Sequence, residues 1–430
     1  MLKRNNALSV VIVLILCGLS GYAQNNNTSS PFSRFGLGDL APYSYGRSAA
    51  MGGATLGSRH ALQINSANPA SYTANDSLSF IFDFGIDGTF SNYKSINGSS
   101  KTNDINFRYF SISIPVTKWM GAGFGLQPFS DMGYDVSYSD TLSGIGNANH
   151  SYFGNGTTSK AYLGLAVRPV KGLSIGANLN YIFGRLSKNS SLTFTDAAIL
   201  PISKTENTRL RDFTLTYGLQ YDLKLKDKRY LTLGATFEKQ SDFIALYQST
   251  AFVGNTSLYT GTPDSVFEVE SKRILKMPST FGVGLSYSQV NKLEINVDYY
   301  HAGWSKAVFP GSVDESIPVI YKFTDQNRIS AGIEYIPEAY SIRSYMKRVK
   351  YRAGVHQDNS YLMLNNHQIK ETGISVGAGF PFPKSKSTAN FAFEIGKRGT
   401  TQYNLVSNNY TKFSLYLNFY DYWFGKRKFD

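Results

Sequence analysis

The sequence lacks any apolar stretch long enough to form a transmembrane helix. The run Ala7 to Leu19 is its strongest apolar segment, and it is shorter than the roughly 20 residues that a spanning helix needs. Two basic residues precede this run, and Gly21-Tyr-Ala23 follows it as a small-x-small cleavage site. We therefore predict that residues 1–23 are a signal peptide, removed near Ala23, and that the mature chain is exported.

Cysteine is almost absent. The single Cys17 lies inside the predicted signal peptide, so the mature chain has no disulfide and no thiol chemistry. A lipid-anchored chain would have a small residue directly before the cysteine, whereas Leu16 stands there. The sequence therefore favours ordinary signal-peptide cleavage over lipidation.

Acidic residues are fewer than basic ones, 30 against 43, which gives a formal net charge of +13. The basic residues are spread along the chain, and the one dense cluster is Lys426–Lys428. No RNA-recognition, helix-turn-helix or zinc-finger pattern accompanies them, so we predict no nucleic-acid partner. The positive charge favours contact with anionic outer-membrane lipid and lipopolysaccharide.

The sequence also lacks a catalytic constellation. No phosphate loop stands in the mature region, and the histidines show neither an i,i+4 pair nor a metal-ligand spacing. We predict no enzymatic activity, no cofactor and no metal. The five histidines are His60, His150, His301, His356 and His367.

Strict alternation of apolar and polar residues dominates the remainder. From Phe213 to Leu225 every odd residue is apolar and every even residue is small or polar. Successive strand side chains point to opposite faces, so one face is wholly apolar. Thirteen residues extend roughly 40 Å, enough for a tilted strand to cross a bilayer. This pattern predicts a transmembrane β-strand.

The same unit recurs about 14 times downstream of residue 75. Short turns alternate with longer segments rich in Asn, Ser, Thr and Gly, which we predict to be outer loops; this alternation is typical of outer-membrane barrels. The predicted loops lie near 92–103, 139–158, 189–206, 251–264, 306–320, 359–366 and 400–407. The predicted strands are 78–91, 104–115, 117–138, 159–169, 172–188, 207–225, 229–250, 265–287, 292–305, 321–336, 347–358, 367–380, 387–399 and 408–424. The fold prediction is all-β, a transmembrane antiparallel barrel spanning 76–430 in a Gram-negative outer membrane.

Charged residues fall on the face opposite the apolar one in most strands. Charge is costly toward hydrocarbon, so we expect these side chains to face the lumen. There they could hold a plug in place or line a substrate path. The predicted lumen residues are Asp222, Glu238, Glu294, Asp298, Glu334, Arg352 and Glu394.

Residues 24–75 differ from the barrel pattern. They show no long alternation, and Arg47–Gly57 is dense in Gly and Ala, including Met51, Gly52 and Gly53. Small residues permit close backbone approach. We predict that this segment is a hatch packed inside the barrel.

The third predicted strand contains a proline in its middle. Pro128 and Phe129 stand between Gly125 and Gly133. Proline donates no ladder hydrogen bond and is confined to strand edges and bulges, so we predict a bulge or an inward kink that opens a lateral gap. A packing irregularity without function is the alternative.

These features together resemble the FadL-type outer-membrane transport family. The resemblance rests on Ala49-Ala-Met-Gly-Gly-Ala54, on Asn68-Pro69-Ala70 and on the interrupted strand with Pro128. It implies that the Asn-Pro-Ala turn belongs to the hatch and that Gly125–Gly133 forms a side exit. It also implies a hydrophobic, fatty-acid-like ligand. The end of the chain, from Phe391, resembles a less-studied subgroup.

The sequence thus predicts a passive channel for hydrophobic small molecules with a hatch and a lateral exit. The alternative is an accessory barrel subunit of a larger outer-membrane complex, such as a translocon plug or a barrel-assembly partner.

Overall fold

The computed structural model describes residues 28–42, 45–196, 198–226, 228–254, 265–308 and 321–422. The predicted signal peptide, the first residues of the predicted hatch and the basic cluster Lys426–Lys428 lie outside the described residues. Within the described ranges, no helix is both long and apolar enough to span a membrane.

The described strands form one antiparallel sheet. A two-residue strand, β1 (Asp39–Leu40), belongs to the N-terminal segment. The wall strands are β2 (Ser79–Ser95), β3 (Gly98–Pro115), β4 (Met120–Leu142), β5 (Gly146–Val170), β6 (Leu173–Phe194), β7 (Ile202–Lys224), β8 (Arg229–Glu238), β9 (Ser241–Val253), β10 (Ser265–Met277), β11 (Thr280–Gln289), β12 (Leu293–Ala302), β13 (Tyr321–Phe323), β14 (Gln326–Tyr335), β15 (Lys350–Leu364), β16 (His367–Pro381), β17 (Thr388–Gly399) and β18 (Ser407–Tyr422).

The sheet closes into a 14-stranded barrel, as predicted. Three of the 14 barrel strands are interrupted, and each of them consists of two of the shorter strands given above. These pairs are β8 with β9, β10 with β11, and β13 with β14. Pro278 stands in one of these interruptions, where its missing N–H breaks the ladder. The barrel closes because β18 pairs with β2, from Ser407 opposite Lys94 to Tyr422 opposite Ser79.

The two faces of β7 confirm the predicted alternation. Its odd residues from Phe213 to Leu223 are exposed on the outside of the barrel, whereas Thr214 and Gln220 are buried inside. The wall therefore presents an apolar surface to lipid and a polar one to the lumen.

Arginine on this apolar surface is expected to destabilise the barrel according to its depth. Leu219→Arg, placed within the apolar band, is expected to cost about 2–4 kcal/mol, whereas Leu223→Arg, nearer the turn at Leu225–Lys228, is expected to cost at most about 1 kcal/mol. Urea unfolding of both variants in lipid vesicles measures the difference. Equal costs would contradict the assignment of this face to the bilayer.

The predicted loops at 92–103, 139–158, 189–206 and 359–366 are wrong for most of their length. The strands continue through them, and β4 and β5 are joined by a turn at 143–145. Polar sequence hid these strands, because a hairpin that extends beyond the bilayer has water on its faces and needs no apolar alternation. Ring stacking supports the extension: Tyr138 and His150 lie face to face, with centroids 4.6 Å apart.

Short 3₁₀ helices complete the described chain. Three lie in the N-terminal segment, at Pro31–Arg34, Gly46–Met51 and Pro69–Ala74. The others are Trp304–Lys306, Met346–Arg348 and Gln402–Asn404.

Candidate functional site

The described part of the N-terminal segment, within residues 28–75, lies inside the barrel and contacts its inner face. A network of four buried charges ties it to the wall. Arg47 pairs with Glu294, and its other guanidinium nitrogen lies 3.2 Å from Glu334. Arg352 Nε donates to Glu334 Oε2 over 2.7 Å. The wall thus supplies two carboxylates and one guanidinium, and the segment supplies the balancing cation.

Backbone groups of the same segment bond to polar wall residues. The Thr55 and Leu56 amides donate to one oxygen of Asp298, over 2.5 and 2.8 Å. Gln220 Nε2 donates to the carbonyl oxygens of Leu56 and Ser58. Asp298 and Gln220 therefore satisfy backbone groups that would otherwise be buried without a partner.

The Asn68-Pro69-Ala70 turn begins the 3₁₀ helix Pro69–Ala74. Asn68 caps it by accepting from the Ala70 amide, 3.2 Å away. The Asn68 amide nitrogen donates to the Leu56 carbonyl, and also to that of Leu219 on β7. The turn thus connects two parts of the segment to the wall.

Met51 and Gly52 form a second contact with the wall, opposite β14 to β16, and the Gly53 amide donates to the Ser48 carbonyl within the segment. Gly52 ends the Gly46–Met51 helix at φ 65°, a left-handed conformation that favours glycine. The Gly52 carbonyl accepts from Arg328, and its amide donates to Ser375. Met51 is fully buried.

Inward-facing glycines of the wall lie directly against these turns. A Cβ atom added at Gly218 would collide with Asn68 and Pro69, and one added at Gly354 would collide with Met51 and Gly52. An added Cβ atom would also collide with the segment at glycines on most of the other wall strands. The glycines that contact the segment in this way, the glycine belt, are Gly121, Gly123, Gly164, Gly176, Gly218, Gly234, Gly284, Gly332, Gly354 and Gly377.

Asp76, the residue that directly follows the segment, is held at the short-turn end of the barrel. Lys386, in the turn between β16 and β17, lies 2.9 Å from Asp76. Partial burial lowers the pKa of Lys386, but its hydrogen bonds to Tyr422, Asp76 and Tyr420 outweigh that effect, so its pKa is raised. The ammonium group therefore stays charged as a partner for Asp76.

β4, the strand that contains Pro128, stops pairing with β3 part-way along its length. β4 pairs with β3 only from Gly121 to Leu126. Pro128 still pairs with Ser159 of β5, but Phe129 is an extra residue in that register. From Ser130 to Tyr134 burial no longer alternates and every residue is buried, which places this stretch inside the barrel. Gly125 lies in the paired part.

The N-terminal segment replaces the lost partner of β4. Asp39 and Leu40 of β1 pair with Asp131 and Ser130, and the Ala41 amide donates to the Phe129 carbonyl. Gly133 exchanges two hydrogen bonds with the Ser33 hydroxyl, each 3.0 Å long. Residues 98–109 of β3, by contrast, have no strand partner on this side within the described chain. The result is a gap in the ladder of the wall, the β3–β4 gap.

Arg108 spans this gap on the lumen side. It is an extra residue in the register of β3 with β2, which frees its side chain to turn inward. Its guanidinium contacts both oxygens of Asp87 at 2.7–2.8 Å and lies 3.3 Å from Asp131 of β4. The two sides of the gap are thus joined by ion pairs.

A cluster of buried apolar side chains, the outer apolar cluster, adjoins the gap. Met132 and Tyr134 of the displaced β4 belong to it, and Phe129 packs against it. On β6 it uses Ile182 and Leu186, farther toward the long hairpins than Gly176, where the glycine belt lies. Its other members are Leu37, Tyr152, Leu210, Phe243, Ala245, Leu275, Met277, Ala302, Trp304 and Tyr361.

A cavity of about 380 Å³ lies between the N-terminal segment and the wall. Phe129, Phe243 and Trp304 line it together with a group of charged side chains. These include Asp87, Asp104, Arg108, Asp131, Glu371 and Arg398. The cavity therefore presents both apolar and charged groups to its contents.

A family model with the description BamG matches residues 1–430. The chain belongs to the BamG family. Comparison with curated proteins gives no significant match.

Solved structures show the type of barrel that this BamG-family chain forms. It is similar to the CymD monoaromatic hydrocarbon channel, with 16% identity, a TM-score of 0.57, and 91% of this chain and 100% of that chain covered. The Pseudomonas putida toluene transporter TodX gives 16% identity and 0.57, with 90% and 100% covered. A Pseudomonas aeruginosa FadL homologue gives 12% and 0.58, with 89% and 99% covered. The FadL-type fold is therefore confirmed. By their titles the first two neighbours are a channel and a transporter, not enzymes, in agreement with the sequence prediction.

The other predicted lumen charges of this BamG-family barrel face inward but do not meet at one place. Asp222 accepts from Thr232 at 2.7 Å, and Glu238 accepts from Thr216 at 2.7 Å. Glu394 lies elsewhere, 2.8 Å from the Tyr410 hydroxyl. Among the predicted charges, Glu294, Glu334 and Arg352 are the three that form one ion network with the described N-terminal segment.

Sequence reasoning missed Arg47, Arg108 and the glycine belt. Arg108 carried a usable signal, because it is a lone base within the alternation of 104–115. Glycines recur within the predicted strands, but their common level in the barrel depends on strand register, which the sequence does not display.

Proposed function

We propose that this chain is an outer-membrane channel for passive uptake of hydrophobic small molecules, and that residues 24–75 act as its hatch. The β3–β4 gap carries the proposal. A closed barrel gains nothing in stability from turning one strand inward and leaving one edge of β3 residues 98–109 unpaired, because unpaired edges are costly in lipid. A side exit explains why the wall is built this way.

The route passes through the outer apolar cluster and the gap. A hydrophobic molecule enters from the long-hairpin end, contacts Met132 and Phe129, and leaves sideways into the membrane beside Phe107. It does not cross the lumen, because the cavity there is charged and the hatch fills the barrel below it. The solved channels named above carry aromatic hydrocarbons or toluene by their titles, so a fatty-acid-like or aromatic compound is the ligand class proposed here.

Blocking the gap is expected to abolish uptake. The mature chain has no cysteine, so Phe129→Cys provides a single thiol beside the gap. Cells producing this variant are expected to take up labelled oleate or toluene before, but not after, reaction with a bulky maleimide. Thr141→Cys, on an exposed outer hairpin, is the control and keeps its uptake after labelling. Uptake that survives complete labelling of the Phe129→Cys variant would exclude the lateral route.

The second candidate is an accessory subunit of a larger outer-membrane complex. The BamG family carries a label distinct from that of the solved channels, and the turn between β14 and β15 offers a protein-binding surface. Ile342 is 100% exposed and Tyr340 80% exposed, with Met346 and the basic Arg343 beside them. Apolar side chains exposed at the short-turn end, outside the lipid-facing strands, are typical of contact surfaces.

Gentle detergent extraction separates the two candidates. Mass spectrometry of the tagged native protein is expected to find a bound apolar compound if the channel proposal holds. A stoichiometric complex with other outer-membrane proteins, without ligand and lost in Ile342→Asp, would favour the accessory role instead. Asn97→Asp, on the opposite end of the barrel, is the matched control.

A further inference from the structure

A histidine and two carboxylates converge on the lumen side of β15 to β17. His356, Glu371 and Glu394 each offer one ligand atom, and these atoms all lie within 4.8 Å of one another. The His356 Nε2 atom is 3.6 Å from the Glu371 carboxylate. All three line the charged cavity, so an ion in the lumen can reach them.

His356 is buried without a hydrogen-bond partner among the described residues. It is 4% exposed, and neither ring nitrogen has a hydrogen bond to the described chain. A buried polar group normally has a partner, because leaving it unsatisfied costs about 1–3 kcal/mol. The imidazole is directed toward the two carboxylates and sits too far from Glu371 for a hydrogen bond. A ligand between them would satisfy it.

The hydroxyl of Tyr410 supplies a second observation. It lies 2.8 Å from a carboxylate oxygen of Glu371 and 2.8 Å from one of Glu394. A hydroxyl carries one proton, so it can donate fully to only one of these oxygens. The other carboxylate oxygen then faces a lone pair of the hydroxyl oxygen, and the two carboxylates repel each other. A cation bound to both carboxylates removes this conflict.

The neighbouring cations leave room for a further positive charge. Arg398 lies 2.9 Å from Asp39 of the hatch but 3.9 Å from Glu371, so its closer partner is Asp39. Lys412 stands opposite Glu394 in the ladder, but its ammonium group forms no close ion pair with Glu394 among the described residues and lies 5.7 Å from the Tyr410 ring centre. An imidazole with two carboxylates matches the nitrogen and oxygen ligands of borderline divalent metals, Zn²⁺ above all.

We propose that His356, Glu371 and Glu394 form a divalent transition-metal site in the barrel lumen, with Tyr410 as the residue that orients both carboxylates. The bound ion links β15, β16 and β17 directly behind the hatch contact of Arg398 with Asp39. This site goes beyond the uptake proposal and does not depend on it.

Zinc binding by the purified full-length mature chain tests the site. The protein carries a streptavidin-binding tag, is stripped with EDTA in detergent, and is then equilibrated with ZnCl₂. Elemental analysis after gel filtration is expected to find about one Zn²⁺ per chain. His356→Gln and Glu371→Gln are expected to lose it, and Tyr410→Phe to weaken it by about 10–100-fold.

His301→Gln is the matched control, since His301 lies on β12 and its ring nitrogen pairs with Asn327 at 2.9 Å. It is expected to bind zinc like the wild type. Heat-modifiable gel migration without metal shows that each variant is a folded barrel. If the wild-type protein binds no zinc, or if His356→Gln retains it, the metal site is wrong. The three side chains then form only an ion pair between His356 and the carboxylates.

Discussion

Replacing Arg47 with methionine is expected to release the N-terminal segment, the proposed hatch, from the barrel wall. Glu294 and Glu334 are cross-strand neighbours, and both are buried. Without Arg47, only Arg352 remains in the described network to neutralise two adjacent carboxylates. Removing one partner from a buried ion network costs about 3–5 kcal/mol, because the charge left behind stays desolvated. Methionine keeps most of the side-chain volume, so the effect is one of charge and not of a cavity.

Hydrogen exchange of the hatch amides measures this release. Exchange in residues 45–60 is expected to become much faster in Arg47→Met, while exchange in the wall strands changes little. Arg343→Met is the control, because Arg343 is exposed on the β14–β15 turn. Adding Glu294→Gln to Arg47→Met is expected to restore part of the protection, since it removes the unpaired charge. Unchanged hatch protection in Arg47→Met would show that the ion network does not hold the hatch.

The barrel itself could be predicted from the sequence because a lipid-facing strand has to alternate. Phe213–Leu225 displays that requirement directly, and the same period gave the 14 crossings, including the interrupted ones. A strand that extends beyond the lipid no longer has to alternate apolar and polar residues. The sequence therefore predicts a loop for the outer part of the β4–β5 hairpin, residues 139–158, although the ladder is continuous from Met120 to Leu142 except at Phe129.

The hatch contacts depend on strand register, which a single sequence does not contain. Glu294 and Glu334 could be assigned to the lumen from their parity alone. That they stand opposite each other, with Arg352 opposite Glu334, follows only from the observed pairing. The same limit applies to His356 and Glu371, which are 15 positions apart in sequence and on adjacent strands. Metal spacing rules address local motifs and do not detect ligands assembled across strands.

Adding side-chain volume at the glycine belt is expected to displace the hatch from the wall as strongly as removing the Arg47 charge. Gly218 and Gly354 are the positions with the most informative contacts, because an added Cβ at each would meet a different turn of the hatch. At Gly354 the obstacle is the backbone of Met51 and Gly52, which cannot rotate away as a side chain can. Overpacking costs about 1–3 kcal/mol per site, and distant sites add, so Gly218→Ala with Gly354→Ala is expected to cost about 2–6 kcal/mol of hatch docking.

Gly88→Ala separates this effect from the general consequence of replacing glycine in a strand. A Cβ added at Gly88 of β2 would meet its nearest neighbours, in Asp104 and Ile105, at an ordinary 3.8 Å. Alanine there is expected to be neutral or to stabilise the strand by about 0.5–1 kcal/mol, because glycine is the more flexible residue. The belt variants are expected to change in the opposite direction, with hatch amides exposed to exchange and protease while the barrel remains intact by gel migration. A double variant with wild-type hatch protection would mean that the hatch rests loosely against the wall, and that the glycines are there for another reason.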